Sequence, residues 1–181
     1  MRLVAARIQG TSPLLMNRFP LEPLDPPMKQ LTREEQAEVA AYRWGKSDEL
    51  YIPGINLQRC IVNAGAYSIY KGRTTMMKVV AAAVFVHPEH LTLGTSVYEI
   101  DSRAVVVPAT RGRIVRHRPR IDEWEVDFQL EYDEGLINAE QLHTIVSDAG
   151  ARVGLLDFRP EKKGPFGRFI IVQWDDNKKQ G

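Results

Sequence analysis

The chain has 181 residues, of which 44% are hydrophobic and 26% charged, and its formal net charge is +1. This length predicts one globular domain with its own core, and we expect no second full domain. No stretch reaches the roughly 18 consecutive apolar residues of a membrane helix, and the first residues lack the apolar segment of a signal peptide, so we expect a cytoplasmic protein with no membrane contact. The single cysteine, Cys60, excludes an internal disulfide and a cysteine metal cluster.

The charges are distributed unevenly along the chain. From Arg111 to Arg120 there are five arginines and no acid, whereas Asp122 to Glu134 carries seven acids and no base. The near-neutral total therefore hides two opposed blocks. The members of this arginine block are Arg111, Arg113, Arg116, Arg118 and Arg120.

The first fifty residues predict one strand followed by a long insertion. Residues 2–9 predict a buried strand. The segment 19–29 contains four prolines, each of which removes a backbone donor, so it predicts an extended loop. Thr32, followed by Glu35, forms a capping box that opens a short helix. We interpret residues 16–50 as an insertion carried by the core.

The middle of the chain predicts a helix and at least one strand. An apolar pattern from Ile55 to about residue 70 predicts the first core helix. Residues 79–86 are apolar and partly β-branched, and periodicity leaves open whether they form a strand or a buried helical turn. Residues 103–108 predict a strand that leads into the arginine block.

The last third of the chain contains the clearest strand pattern. Residues 124–132 alternate between apolar and mostly acidic side chains, which predicts a strand with one water-facing side. We expect the arginine block to form a hairpin with this strand. Asn138 predicts the start of a second helix that closes at Gly150. Residues 169–174 predict the last strand.

This order of elements predicts an α+β fold of the ferredoxin-like (RRM-like) type. The order is strand, helix, strand, strand, helix, strand, the βαββαβ arrangement in which an antiparallel sheet carries both helices on one face. A single domain then spans residues 1–175, with the long insertion after the first strand. Residues 176–181 are expected to form a polar tail.

Two segments carry more information than their periodicity. Residues 51–59, YIPGINLQR, resemble the segment that opens the first helix in the RAMP superfamily, whose members form the backbone of CRISPR effector complexes. Residues 154–169, GLLDFRPEKKGPFGRF, resemble its glycine-rich loop, which precedes the final strand. This chain departs from the family where Ile55 and Asn56 replace a serine pair, and where Arg59 is displaced from the usual lysine position.

The resemblance implies a modified RRM-like fold that binds single-stranded RNA. It also implies that identical subunits stack along the strand, or that the chain belongs to a ribonucleoprotein complex. A stand-alone phage or mobile-element relative is equally compatible with the resemblance.

Two cation clusters are candidate nucleic-acid contacts. Arginines bind phosphates through two parallel hydrogen bonds and stack on bases, although the arginine block also fits a solvated strand edge. In the glycine-rich loop, defined as residues 154–169, glycines allow close approach of a phosphate and aromatic rings offer stacking, although an ordinary turn has the same composition. The candidates in this loop are Arg159, Lys162, Lys163, Gly164, Phe166, Gly167 and Arg168. A weaker third cluster, which also fits an exposed helix end, consists of Lys71, Arg73 and Lys78.

Signatures of catalysis are weak. The four histidines lack zinc-type spacing, so we expect no metal site and no cofactor. His117 is the best candidate for a general base toward an RNA 2′-hydroxyl, a role that metal-independent relatives in the superfamily perform. Asp25 and Asp48 lie in the insertion, where some backbone subunits carry a cleaving aspartate, but neither lies in a matching motif.

The sequence therefore predicts a protein that binds single-stranded RNA or DNA, with RNA favoured, and that is not an enzyme. One alternative is a metal-independent endoribonuclease that uses His117. Another is a viral protein-interaction module that imitates an effector subunit and docks its acidic strand on a basic partner.

Overall fold

The computed structural model describes residues 1–107 and 109–176. In chain order the elements are β1 (Arg2–Gly10), β2 (Leu14–Leu15), α1 (Arg33–Ala40), β3 (Arg43–Trp44), β4 (Glu49–Pro53), α2 (Gly54–Ala64), β5 (Ile69–Lys71), β6 (Thr74–Thr75), α3 (Met77–Ala83), β7 (Val84–His87), β8 (His90–Thr92), β9 (Glu99–Val106), β10 (Arg113–Ile121), β11 (Glu125–Tyr132), α4 (Ala139–Asp148) and β12 (Phe169–Asp176). The α+β class is confirmed. None of the described helices is both long and apolar enough to cross a membrane. The predicted tail beyond Asp176 lies outside the described residues, as does Pro108.

A four-stranded antiparallel sheet, in the order β12–β1–β11–β7, carries the main core. Every second side chain of β1 is buried, namely Val4, Ala6 and Ile8. Ala6 lies opposite Phe128, so the buried side of β1 continues into the apolar side of β11 and confirms the predicted alternation there. Leu3, on the other side of β1, is 49% exposed. The first strand is therefore buried on one face and not on both.

Helices α2 and α4 cover the buried face of this sheet. Leu57 and Ile61 of α2 share one core with Leu142 and Val146 of α4 and with the inward side chains of β1 and β11. Asn138 caps α4 through a capping box, as predicted. The sheet and the two helices thus form two layers around one hydrophobic core.

Both core helices end differently from the sequence prediction. α2 ends at Ala64 and the chain continues in a 3-10 turn over Gly65–Tyr67. A Cβ on Gly65 would lie 2.9 Å from the Cα of Met77, so the glycine allows α3 to pack closely against this turn. The chain after α4 continues past Gly150 in a π-helical turn. That turn ends at Gly154, whose φ of +77° is a backbone conformation that favours glycine.

Two insertions extend this core and pack against each other. Residues 14–53 contain β2, α1, β3 and β4, whereas residues 88–124 contain β8, β9 and β10. β2 pairs with β10 and β4 pairs with β8, and α1 packs against β10. The capping box of α1 at Thr32 is confirmed. Both alternatives left open for residues 79–86 occur, since that segment passes from α3 into β7.

The arginine block lies mainly in β10, and the hairpin partner of β10 is β9. Arg116 lies opposite Arg103, and the other edge of β10 pairs with β2. The predicted hairpin with residues 124–132 is therefore wrong. The apolar side of β11 needs an apolar neighbour, which β1 supplies. Trp124, between β10 and β11, is buried and donates its Nε1–H to the carbonyl of Ser12 at 2.9 Å.

Gly150→Ala tests how closely α4 and β12 approach each other. A Cβ at this position would overlap the backbone carbonyl of Phe169, so we expect the free energy of unfolding to fall by about 1–3 kcal/mol in urea titrations. Gly135→Ala is the control, because its Cβ would meet only the movable carboxylate of Asp133. Equal stability of the two variants would contradict the tight contact.

Candidate nucleic-acid interface

Three of the four arginines of β10 share one side of the β9–β10 hairpin, and Arg113 lies on the other side. Successive side chains of a strand point to opposite faces, so Arg116, Arg118 and Arg120 lie on one side and His117 lies on the other. Nδ1 of His117 is 2.7 Å from the Oγ of Ser102. The candidate general base therefore faces away from the arginines that were expected to position RNA beside it.

A network of ion pairs connects the arginine side of the hairpin to the glycine-rich loop. Arg103 donates hydrogen bonds of 2.7 and 2.6 Å to Asp101, and these lower the pKa of that carboxyl. Arg118, only 4% exposed, donates to Asp157 in the loop. Its Nη2 is 3.8 Å from Asp101, and its Nε and Nη2 form no hydrogen bond with any described residue. The hairpin and the loop thus meet at a buried guanidinium.

Hydrogen bonds hold the glycine-rich loop against two other segments. The backbone amides of Gly167 and Asp157 donate to carbonyls within residues 13–15, at 2.8 and 3.0 Å. The amide of Leu156 donates to Oδ1 of Asn56 at the start of α2, at 3.0 Å. The loop is therefore tied both to the chain after β1 and to the first core helix.

The glycines of this loop pack against protein backbone. A Cβ on Gly167, whose φ is +70°, would overlap the carbonyl of Leu155. A Cβ on Gly164 would overlap the carbonyl of Phe158. The space that sequence reasoning reserved for a phosphate is filled by the loop itself, so these glycines allow the loop to close on itself.

The arginine side of the hairpin and the glycine-rich loop face each other across a groove of about 660 Å³, which we call the arginine groove. Arg103, Arg116 and Arg118 line it from the hairpin, and Lys162 and Phe158 line it from the loop. Within the described residues, Arg116 and Lys162 form no salt bridge. The groove therefore offers at least two cations that are free to pair with an anion.

The aromatic residues of the loop support the arginines. The guanidinium of Arg103 lies 4.7 Å from the ring centroid of Phe166 and 5.6 Å from that of Phe158. Such cation–π contacts orient a guanidinium without neutralising it. Phe166 is buried, so it acts as a support for Arg103 and offers no open stacking face, whereas Phe158 is half-buried and lines the groove.

The remaining candidates from the two main clusters do not line the groove. Arg120 pairs with Asp122 at 2.5 Å. Arg159 donates to Glu161 at 2.6 and 3.0 Å and is half-buried. The candidates that are exposed outside the groove lining are Arg111, Arg113, Lys163 and Arg168.

The third cluster lies on another part of the surface. Lys71 ends β5, Arg73 is in the turn before β6, and Lys78 is in α3. The β5–β6 hairpin and α3 pack against the turn Gly65–Tyr67, and no residue that lines the arginine groove comes from this segment. The contacts therefore do not join this cluster to the other two.

Sequence reasoning missed Arg103 and Asn17, which both line the groove. Arg103 stands outside the arginine block and comes into place only through the pairing of β9 with β10. Asn17 is in the first insertion, where no local pattern identifies it. The one available signal for Arg103 was its spacing from Asp101. Residues two apart in a strand lie on the same face, so an acid and an arginine at this spacing can pair.

Other chemistry has little support in the described residues. They contain no group of three or more His, Cys, Asp or Glu side chains placed to hold a metal ion. Cys60 is buried, and burial raises the pKa of its thiol, which disfavours the thiolate form. Asp25 and Asp48 are exposed in the first insertion, and neither lines the arginine groove.

Comparisons with known proteins give no family assignment. No protein-family model matches this chain, and no curated protein is significantly similar to it. The function is therefore argued from the geometry and charge of the arginine groove.

Gly167→Ala tests the packing role of the loop glycine. The new Cβ meets both a left-handed backbone and the Leu155 carbonyl, so we expect a loss of about 2–4 kcal/mol in the free energy of unfolding. Gly72→Ala is the matched control, since its φ is +59° and no atom lies within 4 Å of the new Cβ. A loss no larger than that of the control would show that the packing contact is unimportant.

Asp157→Asn tests the ion pair that connects hairpin and loop. The change leaves the buried guanidinium of Arg118 without its closest counter-charge, and we expect chemical denaturation to show a loss of about 3 kcal/mol. Asp148→Asn is the control, because its ion pair with Arg152 lies at the surface and contributes at most about 0.5 kcal/mol. Similar losses in both variants would count against a structural role for the buried pair.

Proposed function

We propose that this protein binds single-stranded nucleic acid, with RNA favoured, in the arginine groove. The observation that carries the proposal is the meeting of two cation clusters, distant in sequence, across one groove. Arg116 and Lys162 are unpaired there among the described residues, so a phosphate does not have to displace an internal carboxylate to reach them. Arginine also stacks on unpaired bases, which suits a single strand.

The size of the groove favours a single strand over a duplex. A volume of about 660 Å³ falls within the roughly 300–1,000 Å³ typical of pockets for small ligands. Such a space holds one or two nucleotides and not a double helix. The ion pair between Arg118 and Asp157 and the backbone bonds of the loop keep both walls in place, so the groove is preorganised for binding.

We further propose a ferredoxin-like fold and a relationship to the RAMP superfamily. In support, β1, α2, β7, β11, α4 and β12 follow the βαββαβ order, with both helices on one face of an antiparallel sheet. The two segments of resemblance also touch, since Asn56 accepts from the amide of Leu156. A subunit that stacks in a ribonucleoprotein complex and a stand-alone phage protein are both compatible with this proposal. A cytoplasmic location is an expectation from composition alone.

The salt dependence of RNA binding tests the proposed contacts. If Arg116 and Lys162 each neutralise one phosphate, log affinity should fall with log salt at a slope of about −1.4, from roughly −0.7 per contact. Replacing Arg116 and Lys162 together by alanine should reduce the magnitude of the slope by about 1.4, nearly equally for unrelated RNA sequences. Fluorescence anisotropy of labelled RNA at several salt concentrations measures both quantities.

The matched control is the double variant Lys71→Ala with Lys78→Ala, which removes two cations far from the groove lining. Its slope should equal that of the unmodified protein. If the control shows the smaller slope of log affinity against log salt and the groove variant keeps the full slope, the strand binds on the surface that carries Lys71 and Lys78. If no labelled single strand binds at low salt, the proposed function is wrong.

A further inference from the structure

A smaller cavity of about 180 Å³ adjoins the arginine groove. Asn17 and Asp157 line both spaces, so a strand that lies in the groove passes the mouth of the cavity. The cavity is also lined by Tyr42, Asn56 and Arg159. Its walls thus come from the first insertion, the start of α2 and the glycine-rich loop.

The cavity presents uncharged hydrogen-bonding groups that the protein does not use. The side-chain amide of Asn17 and the hydroxyl of Tyr42 make no hydrogen bond in the part of the chain that the structure describes, and Tyr42 is half-buried. Asn56 uses only its Oδ1, which accepts from the amide of Leu156, so its Nδ2 is a free donor. Asn17 is exposed and Asn56 is half-buried, so these groups are accessible to a ligand that enters the cavity, and a ligand can pair with them without breaking a bond within the described residues.

The charged groups of the cavity are already occupied. Arg159 donates to Glu161 at 2.6 and 3.0 Å and to the carbonyl of Leu156 at 2.8 Å. Asp157 accepts from Arg118 and from the amide of Phe158. The groups left for a ligand are therefore amides and a hydroxyl, whereas the free cations lie in the adjoining groove.

We propose that this cavity is a nucleobase pocket that reads one base of the strand by hydrogen bonds to its edge. The inference rests on the proposed function, because the groove must first hold the phosphates next to that base. Single-stranded recognition commonly turns a base out of the strand and pairs its edge with polar side chains. Asparagine amides are well suited to this role, since they offer a donor and an acceptor side by side.

The size and position of the pocket suit a single base. A volume of about 180 Å³ corresponds to about six waters at roughly 30 Å³ each, which is enough for one planar ring and too small for a second nucleotide. The ring of Tyr42 is held edge-on against Tyr51 with centroids 5.7 Å apart, so its hydroxyl has a defined position. Phosphate contacts then give affinity, and this pocket gives base preference.

The experiment compares labelled RNA homopolymers of adenylate, cytidylate and uridylate, equal in length, by fluorescence anisotropy. We expect one of them to bind at least about tenfold more tightly than another, the factor that corresponds to one good pair of base-edge hydrogen bonds. Asn17→Ala, Tyr42→Phe and Asn56→Asp should each reduce this ratio severalfold. Their salt slopes should not change with base identity, because the phosphate contacts lie in the arginine groove.

The variants are chosen to keep the fold. Asn56→Asp preserves the oxygen that accepts from Leu156 and replaces the Nδ2 donor by a negatively charged oxygen. The added charge weakens the binding of all homopolymers alike, so the ratio between homopolymers is the quantity compared, and Tyr42→Phe removes only a hydroxyl. Tyr70→Phe, at an exposed position in β5, is the matched control and should keep the full ratio. Melting curves show that each variant is folded.

The possible results separate the two proposals. Tight binding with equal affinity for all three homopolymers would overturn the nucleobase pocket and leave the proposed function standing. A base preference that survives all three pocket variants would also overturn it. If no homopolymer binds even at low salt, the proposed function itself is wrong, and the pocket proposal with it.

Discussion

The buried ion pair between Arg118 and Asp157 is the contact on which the candidate site depends. One partner is in β10, within the second insertion, and the other is in the loop that leads into β12. Removing the guanidinium of Arg118 from water is costly, and its attraction to the half-buried carboxylate of Asp157 repays that cost only in one close geometry. The position of the loop relative to the hairpin is therefore specified by electrostatics, whereas the core beneath it is specified by hydrophobic packing.

The candidate site is formed mainly by the two insertions and the glycine-rich loop, which lie outside the core sheet and its helices. The four-stranded sheet and its two helices supply a rigid base, and α2 contributes Asn56 to the edge of the site. The groove walls come from the second insertion and the glycine-rich loop, and Asn17 comes from the first insertion. The insertions also pair with each other through β2–β10 and β4–β8, so they form one structure and not two separate loops. Recognition residues carried by additions can change without cost to the core.

Local chemistry was sufficient to predict several elements. The alternation of residues 124–132 and the capping boxes at Thr32 and Asn138 depend on near neighbours, and the structure contains all three. The partner of β10 is a choice between the strand before it and the strand after it, and near neighbours in the sequence do not decide that choice. The short connection at residues 122–124 favoured β11, but burial of Trp124 separates the two strands. Arg103 was missed for the same reason, because its place in the groove follows only from the pairing of β9 with β10.

Side chains alternate between the two faces of β10. The length of the connection between β9 and β10 therefore decides, as much as the residues of β10 do, which side chains face the groove. Because a strand has a side-chain period of two, a shift in register by one residue moves every side chain to the opposite face. Such a shift would turn Arg116 and Arg118 out of the groove and bring His117 into it. Only the present register lets Arg118 reach Asp157. The ion pair that anchors the loop therefore also favours this register over one that is shifted by a single residue. A change of one residue in that connection would replace the face that carries Arg116 and Arg118 by one that carries an imidazole, with no substitution in β10.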